Sequence, residues 1–148
     1  MRCPSTRRYF LRQAARAGAG TFLMIRPSRG GQAPSAKLNL AVIGAGGRGW
    51  ANLNAMAGEN IVALCDVDRA RLDRAASKFP GARTYVDFRE LFDQENDLDG
   101  AVVSTPDHCH APASVMAMKL GLHVYCEKPL THSVHEARVM TETATDRR

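Results

Sequence analysis

Residues 38–66 read LNLAVIGAGGRGWANLNAMAGENIVALCD, and this stretch restricts the possible folds of the chain more than any other. An apolar run, 38–43, stops at Gly44-Ala45-Gly46-Gly47-Arg48-Gly49. A helix-like segment, 50–57, follows, and a second apolar run, 61–65, ends at Asp66. A strand that turns through glycines directly into a helix and returns as a second strand is a βαβ unit, and such units pair their strands in parallel.

The spacing gives each position a distinct role. Gly44 permits the tight turn out of the strand, and Gly46 has no side chain where a pyrophosphate would approach the backbone. Gly49 lets the helix lie close on the strand. Gly47 and Arg48 complete the turn, and free N–H groups at the helix start face phosphate charge. Asp66 comes 22 residues after Gly44, where a carboxylate can accept both ribose hydroxyls of the adenosine half of a dinucleotide. A methyltransferase nucleotide site also has a glycine turn and an acid after the second strand, so this stretch alone leaves that alternative open.

The alternation continues beyond Asp66. Residues 69–79 place Leu72, Ala75, Ala76 and Phe79 on one helical face, and Pro80-Gly81 ends the helix. A short strand is expected at 83–86, and Asp87 is placed to cap a small helix over 88–94. A polar turn, 97–99, precedes a buried strand at 100–104. A helix over 108–120 should turn Ala111, Val115, Met118 and Leu120 inward, with Gly121 as its stop and a strand at 122–126 after it. A last helix is expected over 133–145. Strands and helices alternating at this spacing predict an α/β, doubly wound parallel sheet of Rossmann type.

The 148 residues suffice for about one domain. Their net charge of +5 misleads, because seven arginines (2, 7, 8, 12, 16, 26 and 29) and no acid fall in residues 1–36. Without that segment, 13 basic residues face 15 acidic ones over 37–148, a net of −2, which disfavours a nucleic-acid-binding domain. The segment itself reads Ser5-Thr6-Arg7-Arg8-Tyr9-Phe10-Leu11-Arg12, then an apolar run over 17–25, then Gly, Ser and Ala through Ala36. It resembles a twin-arginine export signal, and its apolar run is too short for a permanent membrane span. The expectation is export by the twin-arginine machinery to a periplasmic or extracytoplasmic location, with a disordered basic arm as the plain alternative. That route carries folded proteins, so a cytoplasmic nucleotide could be loaded before transport.

The cysteines beyond Cys3 are Cys65, Cys109 and Cys126, with neither C-x-x-C nor zinc spacing. No structural disulfide and no metal site are expected, and Cys65 and Cys126 read as small buried residues.

The residues with chemical potential gather after the last two strands: Thr105-Pro106-Asp107-His108-Cys109-His110 and Glu127-Lys128-Pro129-Leu130. In a doubly wound sheet both loops open onto the cofactor crevice. A loop lysine is by itself commonly a solvated charge, and His108 and His110 could simply decorate a helix start. The set as a whole, GxGxxG at 44–49, the acid at 66, Thr-Pro-Asp-x-x-His at 105–110 and Glu-Lys-Pro at 127–129, resembles the Gfo/Idh/MocA oxidoreductases over about 37–148. Glu-Lys-Pro at this distance from the glycine turn is the most specific element, and a methyltransferase would have no need of it.

The resemblance implies hydride transfer between NAD or NADP and a sugar or cyclitol. Lys128 would sit beside the reacting hydroxyl or carbonyl, Glu127 would help position the lysine and the nicotinamide side of the cofactor, and Pro129 would fix the loop, with a cis peptide bond as one way to do so. Thr105 and Pro106 would line the nicotinamide ribose, with His110 nearby. Asp66 favours NAD over NADP, although Arg69 lies close enough in sequence to serve a 2′-phosphate. The family carries a second α/β domain that holds the substrate and forms the dimer. The chain therefore reads as the nucleotide-binding front part of such an enzyme, incomplete for catalysis, marginally stable in isolation and not expected to oligomerise alone. The other reading is a non-catalytic nucleotide- or partner-binding remnant.

Overall fold

A computed structural model of the protein describes residues 37–147, so the expectations for residues 1–36 lie outside the described residues. The elements run β1 (Asn39–Ile43), α1 (Arg48–Ala55), β2 (Asn60–Cys65), α2 (Arg69–Lys78), β3 (Arg83–Tyr85), α3 (Phe88–Gln94), β4 (Gly100–Val103), α4 (His110–Lys119), β5 (His123–Cys126) and α5 (Val134–Asp146). A 3-10 turn, Asp107–Cys109, leads into α4. The five strands form one parallel sheet in the order β3-β2-β1-β4-β5. This is the doubly wound, Rossmann-like arrangement, with its order reversing between β1 and β4.

Successive strand residues point to opposite faces. Ala41, Ile43, Ala63, Cys65, Ala101 and Val103 form one face and pack with Leu91 and Phe92 of α3 and Ala113 and Ala117 of α4. Leu40, Val42, Leu64 and Val102 form the other, under Leu53 of α1 and Leu72 and Ala75 of α2. Each fully buried Leu, Ile or Val in these layers contributes about 1.5–3 kcal/mol. The two layers are why the strands read as continuous apolar runs. Beyond α1 the cover stops, and an open apolar groove of about 330 Å3 runs along Leu38, Leu40, Met56, Val102 and Tyr125.

Two elements differ from expectation. α1 begins at Arg48, two residues early, so the last glycine of the turn is already helical. In α4 the buried face is Ala111, Ala113, Ser114 and Ala117, whereas Val115 and Met118 are half-buried and Leu120 is 54% exposed. Small residues let this helix approach the sheet closely, and the larger ones are displaced to its flanks. Bulk, which in a sequence points to the inner face of a helix, here marks the rim.

Helix starts separate into two kinds. Asp68 caps α2, Asp87 caps α3, and Ser133 with Glu136 forms a reciprocal capping box on α5. α1 has no side-chain cap and no acid in its first turn. Among the described residues no helix is long and apolar enough to cross a membrane, and no three His, Cys, Asp or Glu side chains gather as a metal-ligand set.

Candidate functional site

The sheet register assembles the site. Tyr85, Cys65, Ile43, Val103 and Cys126 are partners in one row across all five strands. Ladder bonds continue one residue further: Asp66 N–H donates to the Tyr85 carbonyl (3.2 Å), Gly44 N–H to Cys65 (2.8 Å), Ser104 N–H to Ile43 (2.8 Å) and Glu127 N–H to Val103 (2.9 Å). Asp66, Gly44, Ser104 and Glu127 therefore stand side by side at the carboxyl edge, at the point where the strand order reverses.

Two of the glycines, Gly44 and Gly49, are there because backbone is in the way. Gly44 has φ +87°, and a Cβ on it would lie 2.7 Å from the Ser104 carbonyl carbon and oxygen. A Cβ on Gly49 would overlap the Gly44 carbonyl oxygen. Gly47, at φ +52°, has open space around it. At Gly46 the nearest neighbour is the Arg71 side chain, which lies across the turn.

Asp66 is 8% exposed, and its carboxylate is turned into the loop. Oδ2 accepts from the amides of Ala45 (2.9 Å) and Gly46 (3.1 Å), and Oδ1 accepts from the amide of Asp68 (2.9 Å). The acid expected at the ribose thus also fixes the shape of the glycine turn. With those two loop amides engaged, the start of α1 itself is what remains to meet an anion.

On the other side of the switch point the carboxylate is held by side chains. Glu127, buried at the end of β5, accepts from Arg48 Nε (2.9 Å) and Asn52 Nδ2 (3.3 Å) through Oε1, while Oε2 accepts from the Lys128 amide (3.1 Å). Tyr125 Oη donates to Oε1 at 3.4 Å, and Asn52 Nδ2 also donates to Ser104 Oγ at 2.9 Å. Arg48 and Asn52 are one turn apart on α1, so both reach the same oxygen. The Arg48 guanidinium, then the Lys128 amide and Asn52, hold the Glu127 carboxyl down to about 2, and Arg48 is raised in return. Glu127 is therefore ionised throughout the neutral range.

The Lys128 side chain is exposed, and the Lys128–Pro129 peptide is cis. His110 is 1% exposed, with Nδ1 2.7 Å from the Pro129 carbonyl oxygen and Nε2 2.7 Å from the Thr105 carbonyl oxygen. It joins the two loops that follow β4 and β5, and both ring nitrogens are already engaged. The ring, expected from the sequence near the nicotinamide ribose, is a buried brace for the Thr105 and Pro129 backbones. Pro106 is exposed and His108 points outward near Asp107. Thr105 Oγ1 is buried and has no hydrogen-bond partner among the described residues. Arg69 is exposed and lies outside the pocket that borders the glycine turn. Cys65 is a buried free thiol pushed up to about 12 by its burial, which suits packing and not redox chemistry.

Asn52, Ser104 and Arg71 are site residues that sequence reasoning misses. Asn52 does carry a signal: it is a polar residue on the same helical face as Arg48 and next to buried Leu53. Arg71 carries none.

An uncapped helix behind a glycine turn, an acid at the end of β2 and an unpartnered hydroxyl at the end of β4 define a dinucleotide-binding Rossmann domain. Comparison with known proteins gives the same class. The family described as "Oxidoreductase family, NAD-binding Rossmann fold" (Gfo/Idh/MocA) matches residues 38–148, and the chain belongs to it. It is 33% identical over 101 residues to an inositol 2-dehydrogenase of Corynebacterium glutamicum, covering 66% of this chain and 30% of that protein. It is 31% identical over 119 residues to an alpha-N-acetylgalactosaminidase of Shewanella oneidensis, covering 72% of this chain and 26% of that one. The crystal structure of a myo-inositol 2-dehydrogenase from Lactobacillus plantarum superposes with a TM-score of 0.70 at 29% identity, over 75% of this chain and 34% of that chain. The chain thus spans about a third of the length of the relatives it matches.

Proposed function

We propose that this domain binds NAD and presents Lys128 to a sugar or cyclitol in an oxidoreductase of the Gfo/Idh/MocA type. The observation that carries the proposal is the Arg48–Glu127–Lys128 connection. The helix that receives the pyrophosphate is tied by Arg48 and Asn52 to the carboxylate that fixes the Lys128 backbone.

The residues present fit the cofactor. The bare backbone of Gly46 and Gly47, the uncapped start of α1 with Arg48, and Asp66 would hold the pyrophosphate and adenosine ribose. Thr105 Oγ1, buried without a partner, offers a hydrogen bond to the nicotinamide side, next to Pro106. When bound, the nicotinamide supplies the hydride acceptor or donor. Lys128 Nζ stabilises the alkoxide that develops on the reacting carbon's oxygen, or exchanges a proton with it. Glu127, ionised and hydrogen-bonded through both oxygens, carries no proton and acts as a positioning residue. His110 holds the Thr105 and Pro129 backbones in register.

The test is turnover by the complete protein with NAD and a panel of sugars and cyclitols, read as NADH formation. Lys128→Ala should abolish turnover and leave NAD affinity within about 3-fold. Unchanged turnover would remove Lys128 from the chemistry. NAD binding with no turnover on any polyol would favour a nucleotide-binding module without catalysis. Release of N-acetylgalactosamine from a model glycoside would favour the reaction of the Shewanella relative.

The paired Arg7-Arg8 and the apolar run at 17–25 support a second part of the proposal, that residues 1–36 are a twin-arginine signal and linker and that 37–148 are the exported dinucleotide-binding domain. Replacing both arginines by lysine should leave the protein in the cytoplasmic fraction. Export of that variant would contradict this.

A further inference from the structure

His110 opens α4 and is buried, and neither group that meets its ring can give it a proton. Nδ1 faces the Pro129 carbonyl oxygen and Nε2 the Thr105 carbonyl oxygen, each at 2.7 Å. A carbonyl oxygen only accepts, and a neutral imidazole has one N–H and one lone pair. With a single proton, one ring nitrogen would point its lone pair at an oxygen lone pair, too close for a water to stand between them. That leaves two buried acceptors without a donor. With a proton on each nitrogen, both contacts are hydrogen bonds. Both lengths stand at the short end of the N–H···O range of about 2.7–3.2 Å, as a charged donor makes them. Neither carbonyl receives another hydrogen bond among the described residues.

The charged and titratable groups on the surrounding elements are turned outward or engaged elsewhere. In its own turn, Asp107 accepts from the His108 amide, and His108 is exposed. Cys109 is half-buried, and Cys126 Sγ lies against the Glu127 and Leu130 carbonyls. Glu127 is taken by Arg48, Asn52 and the Lys128 amide, and the Lys128 side chain is exposed. On α5, His135 is exposed and Glu136 closes the capping box. No carboxylate pairs with the ring among the described residues. The start of a helix also disfavours a cation, so the two carbonyl bonds are what hold the second proton.

We propose that His110 works as an imidazolium whose second proton fastens the Pro129 loop, and with it Lys128, to the start of α4. Thr105 is five residues from His110 and joined to it through the 3-10 turn, whereas Pro129 is 19 residues away on a separate loop. When the ring gives one proton to water, Nε2–H keeps its bond to Thr105, and Nδ1 is left with a lone pair that turns the Pro129 carbonyl away. Lys128 directly precedes Pro129, so its position is fixed in acid and loosened in alkali. His110 is thus a positioning residue that acts on Lys128 through Pro129. The consequence for turnover rests on the role proposed above for Lys128; the state of the ring does not.

NMR of the 15N-labelled full chain between about pH 5 and pH 9 tests the ring directly. Two ring N–H signals should be present at the acid end and one, on Nε2, at the alkaline end. The backbone signals of Lys128 and Leu130 should shift with the same midpoint. In the complete protein, kcat should fall about 3-fold or more over the same interval, with the KM for NAD little changed. His110→Gln, which offers a donor at one end only, should have a low kcat without that alkaline fall. A single ring N–H signal throughout would overturn the inference, as would two signals persisting to the alkaline end. So would a ring transition to which Lys128 and Leu130 do not respond, or an alkaline fall unchanged in His110→Gln. The expected NMR result together with unchanged turnover in Lys128→Ala would uphold the fastening and bring down only the role of Lys128.

Discussion

The carboxyl edge of the sheet carries a buried acid on each side of its switch point, and the two are held in opposite ways. Asp66, at the end of β2, takes its hydrogen bonds from backbone amides within the same βαβ unit and the residue two positions on. Glu127, at the end of β5, takes only one, through Oε2, from a neighbouring backbone amide, and its Oε1 bonds from Arg48 and Asn52, 79 and 75 residues away in sequence. The first arrangement makes a rigid local turn whose shape is set by the chain path. The second makes a connection between α1 and the loop after β5 that exists only once the sheet has formed. Under the proposed function the adenosine side is thus built into the backbone, and the reactive side depends on side chains and should be the more adjustable of the two.

Breaking the backbone-held side should have the largest effect. Gly49→Val would drive Cβ into the Gly44 carbonyl group and close against the Ser104 side chain. A loss of at least about 3 kcal/mol, measured by denaturant unfolding, is expected from overlap of this kind. Gly47→Ala is the matched control. Its surroundings are open, so only its backbone conformation, φ +52° with ψ −118°, opposes it, at about 1–3 kcal/mol.

Acid titration should sharpen the contrast on the other side. Glu127 is held down to about 2 in the folded chain, against an ordinary value near 4.5. Its contribution to stability is therefore complete above about pH 4.5 and is lost as the pH falls toward 2. Glu127→Gln should flatten the fall of melting temperature over that interval and leave the curve above about pH 5 nearly parallel to that of the unaltered protein. An identical acid limb in both proteins would mean that the Arg48–Glu127 pair does not persist in solution.

Asn52→Leu should give the smallest change, about 1 kcal/mol in stability, since each amide bond is a net gain of that order. In the complete enzyme it should lower turnover more than it raises the KM for NAD, because it acts on Lys128 through Glu127. Asn52→His, which retains an N–H donor, should recover part of the loss. Equal effects of Leu and His would reduce Asn52 to a packing residue.

The same contrast explains what is readable in the sequence. The glycine turn, Asp66 and the parallel fold are legible because their determinants are local: φ at Gly44, close approach at Gly49, and an apolar run ending in an acid. The cap at Asp87 and the boundaries of α3 are legible for the same reason. The Asn52–Ser104 bond is not, because its partners are 52 positions apart; Asn52 is marked only as a polar residue on the helical face of Arg48, and Ser104 not at all. His110 falls at the start of α4, within the expected helix, but its partners, the carbonyls of Thr105 and Pro129, are contributed by backbone that carries no sequence signature. Arg71 over Arg69 is a matter of helix phase: two residues along α2 rotate a side chain by about 200°, and Arg71, not Arg69, lines the pocket.

The most direct test of this division of labour is NAD calorimetry on Asp66→Asn and Glu127→Gln side by side, with Lys128→Ala as reference. Asp66→Asn should weaken NAD by about 10-fold or more, since it removes charge-assisted acceptors both for the loop amides and for the ribose. Glu127→Gln and Lys128→Ala should stay within about 3-fold of the unaltered protein, because they act after binding. Equal losses across the three, or a larger loss at Glu127 than at Asp66, would contradict a backbone-built adenosine side and a side-chain-built reactive side.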